Sequence, residues 1–203
     1  MAYKKGSRGE IVRQIQKALH LYEDGIFGIN TEEAVKKFQA SHGLKPDGIV
    51  GPATLALLIP VRWKKSRRTI REIIIHCSAT PEGRNYTVED IRRWHRQRGW
   101  SDIGYHYVIY RDGTIHEGRN VDIAGAHCVN HNAHSIGICY IGGCASNGKT
   151  PKDTRTLTQR AALLNLLHEL RVLYPDARIY GHHDFEPRKA CPSFDAKNEY
   201  KNI

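Results

Sequence analysis

The stretch Asp24-Gly25-Ile26-Phe27-Gly28-Ile29-Asn30-Thr31 returns 23 residues later as Asp47-Gly48-Ile49-Val50-Gly51-Pro52-Ala53-Thr54, and Gln16 is matched by Gln39 at the same offset. A period of that length marks two copies of one supersecondary piece. A chain of 203 residues suits one large domain or two small ones, and the repeat decides for two. Ile11, Ile15, Ala18 and Tyr22, flanked by Val12 and Leu19, share one face at helical spacing. Asp24-Gly25 breaks that pattern. A second helix is signalled by Thr31 as N-cap, by the stripe Ala34, Val35 and Phe38, and by Gly43 beyond its end. A third runs from about Pro52 to Leu58, with proline where first-turn geometry favours it. Residues 1–60 therefore read as a small three-helix domain.

The net charge is +10, and its excess sits mainly in Arg62, Lys64, Lys65, Arg67, Arg68 and Arg71, with no acidic residue among them. Such a cluster can draw a protein to a polyanionic surface or be a solvated linker. No reading element or base-stacking aromatic pattern accompanies it, which argues against specific nucleic-acid binding. Five cysteines without paired spacing argue against a disulfide framework and fit synthesis in a reducing compartment. The first residues lack the apolar core of a signal peptide, and no run of about eighteen apolar residues offers a membrane span.

Beyond the basic stretch the chain alternates strands and helices. A strand is read at 70–76, and a helix from about Val88 to Arg98, capped by Thr87 with Asp90 three residues on. Two extended runs flank Asp112-Gly113 as a hairpin, and Ile136 to Ile141 forms another strand. Thr158 is read as the cap of a long helix through Leu163, Leu164, Leu167 and Leu170, stopped by Pro175. Arg178 to Gly181 is the last strand. The expected fold class is α/β, a mixed central sheet flanked by helices, with the three-helix domain before it.

Three segments carry the chemistry: Ile73-Ile74-Ile75-His76-Cys77-Ser78, Tyr180-Gly181-His182-His183-Asp184 and Lys189-Ala190-Cys191-Pro192-Ser193. The β-branched run ending on His76 reads as a buried strand that delivers an imidazole to its carboxyl end, where open sheets commonly hold their sites. His76, one of the pair His182 and His183, and Cys191 make a three-ligand set for zinc, leaving a fourth tetrahedral position for water; a structural zinc would use four protein ligands. Strand alternation sends His182 and His183 to opposite faces, so one of the two ligates.

From about Arg71 to Asp195 the chain resembles the zinc-dependent N-acetylmuramoyl-L-alanine amidases, in the branch of phage lysozymes and peptidoglycan-recognition proteins. The resemblance rests on His76-Cys77-Ser78-Ala79-Thr80, Gly104-Tyr105-His106, Arg111-Asp112-Gly113-Thr114, Gly125-Ala126-His127, Ser135-Ile136-Gly137-Ile138 and Lys189-Ala190-Cys191-Pro192-Ser193-Phe194-Asp195. It implies hydrolysis of the amide between the muramic acid lactyl group and L-alanine, and one Zn2+ per chain on His76, His182 and Cys191. It also implies Lys189 as a cation for developing oxyanion charge, Tyr105 as a contact to the attacking water or the oxyanion, and His127 and Asn132 as substrate-binding residues. The loop from His127 to His134 has spacing that could hold a second ion, but this reading gives it none. Residues 6–58 resemble the three-helix peptidoglycan-binding domain found beside cell-wall hydrolases.

The resulting expectation is a peptidoglycan-binding domain (1–60), a basic linker (61–69) and a zinc amidase domain (70–203) in a phage or prophage endolysin. It is expected to be a monomer, made in the cytoplasm and acting on the cell wall after release or assisted export. Its partner is bacterial peptidoglycan, without specific nucleic acid or a membrane span. Action on the sugar chain is disfavoured, since nothing resembles a placed pair of catalytic carboxylates. The alternative is a catalytically silent peptidoglycan-binding module of the same fold, whose members typically lack the cysteine ligand.

Overall fold

The computed structural model describes residues 2–59 and 63–203. They form two compact units: the chain up to Trp63 together with His168–Pro175, and Lys64–Leu167 together with Asp176–Ile203. No helix among the described residues is long and apolar enough to cross a membrane.

In the first unit, α1 (Glu10–Ala18), α2 (Ile29–Ser41) and α3 (Pro52–Leu58) enclose Ile11, Val12, Ile15, Phe27, Val35 and Val50. The repeat has a structural reason. Gln16 Nε2 donates to Asp24 Oδ1, Ile26 O and Thr31 Oγ1, while its Oε1 accepts from Gly25 N–H. Gln39 makes the same four bonds to Asp47, Ile49, Thr54 and Gly48. Each buried amide thus ties its own helix to the following turn and to the start of the next helix, and its polar atoms are satisfied where no water reaches. Gly25 and Gly48 adopt φ of 74° and 73°, which L side chains rarely take.

Two expectations fail here. Thr31 is not the cap of α2: Gly28 holds that position, and Thr31 sits inside the helix, buried under Gln16. Tyr22 lies beyond α1 and is 87 % exposed, because the helix already ends at Ala18.

In the second unit, β1 (Glu72–Cys77), β3 (Tyr107–Ile109), β4 (Ile115–Glu117), β5 (Ser135–Tyr140) and β7 (Arg178–Gly181) form one sheet in the order β4-β3-β5-β1-β7. All pairs are parallel except the β3–β4 hairpin. A small parallel pair, β2 (Thr80–Pro81) with β6 (Gly143–Cys144), continues beyond β1 and β5. The β1 and β5 strands are apolar and almost wholly buried, as parallel strands covered on both faces must be. Helix α4 (Val88–Gln97) brings Val88 and Ile91 onto Val108, Cys139 and Ile141, and Thr87 with Asp90 forms the capping box read from the sequence. Helix α5 (Leu157–Leu173) is capped by Thr156, not Thr158. Thr156 and Gln159 exchange side chain-to-backbone bonds, and the Gln159 amide also ties Ile109 O and Ile141 O at the strand ends. A last short helix, α6, covers Ala196–Glu199.

The stretch read as a linker is, from Lys64 onward, part of the second unit; Pro60, Val61 and Arg62 lie outside the described residues. Lys64 and Arg67 pair with Asp122, while Arg68 bonds the carbonyls of Val121, Asn132, Ala133 and Ser135. A run of cations looks solvated in sequence because its carbonyl partners leave no trace there.

Two buried histidines of this unit accept backbone N–H groups, His95 Nδ1 from Gly104 and His106 Nδ1 from Gly137. Burial, then neighbouring arginines, hold both down at about 4. The unfolded chain takes up these protons near pH 6.5, the ordinary imidazole value, and the folded chain only near 4. Their contribution to stability is therefore whole above about pH 6.5 and is lost as pH falls toward 4. Thermal melts at stepped pH should show Tm dropping through that window; a flat Tm from pH 7 to 4.5 would contradict it.

Candidate active site

The β1–β7 register pairs Ile75 with Gly181. Both strands run the same way, so the next residues, His76 and His182, come up side by side, with ring centroids 4.6 Å apart. His182 does not continue the strand but opens a 3-10 turn, His182–Asp184, so the alternation argument for separating the two histidines does not operate. His182 is buried and His183 half-buried; the backbone N–H of His183 donates to Cys191 O at 2.8 Å. Cys191 is held from several sides. Tyr140 Oη donates to Pro192 O at 2.7 Å, Ser193 Oγ donates to Gly143 O at 2.8 Å, and the Cys77 N–H points at Cys191 Sγ at 3.3 Å. Gly181 leaves room for this segment, since a Cβ there would lie 2.7 Å from Pro192 Cδ.

The donor atoms of His76, His182 and Cys191 lie within 4.8 Å of one another. His76 Nδ1 is 3.8 Å from Cys191 Sγ, and its Nε2 meets His127 Nδ1 at 3.0 Å. Burial pushes His76 and His127 well below the ordinary imidazole value and holds His182 at about 4, so all three rings are neutral at pH 7, the form in which imidazole binds metals. The thiols of Cys77 and Cys191 titrate together: their mutual contact lowers that of Cys77 and, with burial, raises that of Cys191. The set is two neutral imidazoles and one thiol that receives a backbone N–H. It suits zinc in both ligand type and number, with a tetrahedral position left open.

Around this set, Tyr105 packs its ring 5.1 Å from that of His76, and burial pushes its phenol far above the ordinary value, so it remains a hydrogen-bond donor. Lys189 Nζ is 3.0 Å from Glu186 Oε2, the same oxygen that lies 3.6 Å from His182 Nε2. Glu186 escaped the sequence reading; its i,i+4 and i,i+3 spacing to His182 and Lys189 was the available signal. His127 is buried, wedged beneath His76 rather than set on an open surface, with Nε2 3.3 Å from Ser135 Oγ. Gly125 and Gly137 make the space: a Cβ at either would stand 2.4 Å from the His127 ring. Asn132 Oδ1 accepts from the His127 and Cys128 N–H groups, so its amide oxygen shapes the loop. All five cysteines are free.

A mixed sheet with two histidines and a cysteine gathered at the carboxyl ends of its parallel strands has the layout of a metallohydrolase. Residues 66–194 match the family described as N-acetylmuramoyl-L-alanine amidase, and residues 8–58 match the peptidoglycan binding domain family. The endolysin of Klebsiella phage KP32 is 45 % identical over 137 residues, 68 % of this chain and 89 % of the relative. Among solved structures, the N-acetylmuramoyl-L-alanine amidase LysC from Clostridium intestinale is 29 % identical over 69 % of this chain and 91 % of its own, with a TM-score of 0.55. Drosophila PGRP-LB is 27 % identical over 70 % and 86 %, also with a TM-score of 0.55. The chain belongs to the N-acetylmuramoyl-L-alanine amidase family: it is a peptidoglycan amidase that also carries a peptidoglycan binding domain.

Proposed function

We propose that the chain is a zinc-dependent endolysin, of phage or prophage origin, that cleaves the amide between N-acetylmuramic acid and L-alanine, with one zinc in this site, held by His76, His182 and Cys191. The observation that carries the reading is the convergence of those three donors on one point at the strand ends. Bound there, zinc supplies Lewis acidity to the scissile carbonyl and acidity to water.

The chain's own groups do the rest. His127 hydrogen-bonds Nε2 of His76 and so fixes that ring's tautomer and orientation, as the partner of a metal-ligating histidine commonly does. The Tyr105 hydroxyl donates a hydrogen bond toward the oxygen that becomes anionic, and the Lys189 ammonium offsets that charge in a site partly shielded from water. Glu186 holds Lys189 beside His182. Asn132 shapes the loop that borders the substrate, and His127, buried beneath His76, bears on the substrate through that ring. Action as a monomer is part of this reading. In this reading, residues 1–60 bind the wall, and the unit that begins at Lys64 catalyses. The endolysin relatives support synthesis in the cytoplasm and action on the wall after release or assisted export.

Digestion of purified peptidoglycan, followed in parallel for new free amino groups and new reducing sugars, tests this. New amino-terminal alanine without new reducing ends is expected, lost with a zinc chelator and restored by added zinc. Turnover indifferent to complete zinc removal would overturn the metal assignment. No product from a folded, zinc-loaded sample would favour a silent binding module.

A further inference from the structure

A second convergence of metal-binding side chains lies at the other end of β1. Glu72 opens that strand, and its Oε2 is 2.8 Å from His131 Nδ1 and 3.4 Å from His134 Nε2. The donor atoms of the three residues all lie within 4.8 Å of one another, and each residue is partly exposed, so an ion from solution can reach them.

The frame that holds them rests largely on other groups. Arg68 donates to Asn132 O and Ala133 O, and Asn132 Oδ1 ties the loop to the His127 and Cys128 N–H groups. His134 N–H bonds His131 O in the 3-10 turn Asn132–His134, and the His131 ring packs against Phe185 with centroids 3.9 Å apart. Both imidazoles are thereby aimed at a single carboxylate oxygen from a rigid turn.

We propose that Glu72, His131 and His134 form a second divalent-cation site, independent of His76, His182 and Cys191, which takes zinc through two imidazoles and one carboxylate. Zinc–ligand bonds of about 2.0–2.2 Å place tetrahedral ligands roughly 3.3–3.6 Å apart; His134 stands at that span from Glu72, at 3.4 Å, and His131, at 2.8 Å, needs only a small side-chain retreat to reach it. Imidazole with carboxylate selects zinc, cobalt or nickel over magnesium or calcium, which prefer all-oxygen sets. Glu72 and His76 are four positions apart on one strand, roughly 13 Å at about 3.3 Å per residue. The two ions therefore do not share a bridging water, which needs about 3.5–4 Å between metals. The second ion is a clamp: it fastens the 125–134 loop, whose His127 supports His76, onto the first residue of β1.

The test is metal stoichiometry on the full chain, loaded with zinc, dialysed free of excess and measured by mass spectrometry of the metal. Wild type should retain two zinc ions, Cys191→Ser one, and His131→Ala/His134→Ala one. Cobalt(II) separates the sites by spectrum: the thiolate charge-transfer band should vanish in Cys191→Ser and persist in the double-histidine variant, which instead loses the second equivalent of d–d absorption. Glu72→Gln, nearly isosteric and checked by circular dichroism, should also fall to one zinc ion, which guards against a misfolded histidine variant. A single zinc in wild type, with retention unchanged by Glu72→Gln, would overturn the site and leave a His131–Glu72 ion pair alone.

Discussion

Cys191→Ala should lose hydrolysis of peptidoglycan by at least about 10³-fold in kcat/KM, while still sedimenting with insoluble peptidoglycan. A thousandfold is about 4 kcal/mol of transition-state stabilisation, within the several kcal/mol that a Lewis-acidic metal contributes. The substitution removes the only thiol in the set of His76, His182 and Cys191. The region that matches the peptidoglycan binding domain family, residues 8–58, contains none of the three, so wall affinity should be untouched. His182→Ala should behave like Cys191→Ala, whereas His183→Ala, whose backbone and not its ring contacts Cys191, should stay within a few-fold of wild type. Turnover kinetics with pull-down on the same preparations check all three. A Cys191 variant that turns over within tenfold of wild type would remove the thiolate from the mechanism.

Arg155→Met should lower stability by about 3 kcal/mol, the low end of what breaking a buried ion pair costs. The Arg155 side chain is fully buried and makes two-pronged contacts with both Asp153 and Glu199. It also donates to Tyr200 Oη, and its guanidinium carbon lies 3.2 Å from the centre of the Phe194 ring. Both carboxylates are partly exposed and can rehydrate once the arginine is gone, which keeps the expected cost from being larger. For a chain of this length that is a fall in Tm of roughly 6–12 °C. Arg155→Lys should not rescue it, because an ammonium cannot form two forks or stack on a ring. Phe194 stands three residues after Cys191, so the Arg155 variants should also release zinc more readily in a chelator competition. A Tm within about 2 °C of wild type would mean that rehydration cancels the loss.

The sequence made visible whatever is local or periodic. The apolar run into His76, the Asp112-Gly113 hairpin and the Thr87–Asp90 capping box all leave patterns within a few residues, and the structure has all three. The Gln16 and Gln39 repeat was legible, but not its reason, because the turns and hydroxyls those amides serve are 8 to 15 residues away. Contacts between distant segments were invisible. Nothing near His127 announces that its ring supports His76, 51 residues earlier, and nothing near Arg68 announces the carbonyls that take its guanidinium. Thr156 was passed over for Thr158 because both are threonines at a helix start, and only the reciprocal bond to Gln159 separates them. Glu72 read only as part of the strand at 70–76; its partnership with His131 and His134 depends on a loop folding back over 59 residues.

The order in which the donors occur along the chain has a consequence for timing. His76 precedes both His182 and Cys191, the latter by 115 residues. The parallel pairing that seats His182 beside His76 needs β7, the last strand of this sheet in chain order among the described residues. A nascent chain therefore carries most of the sheet and none of the assembled centre. A chain that stops short of Cys191 can pair β1 with β5 and β7 and still lack one of the three donors, so the centre is completed only after the sheet that carries it.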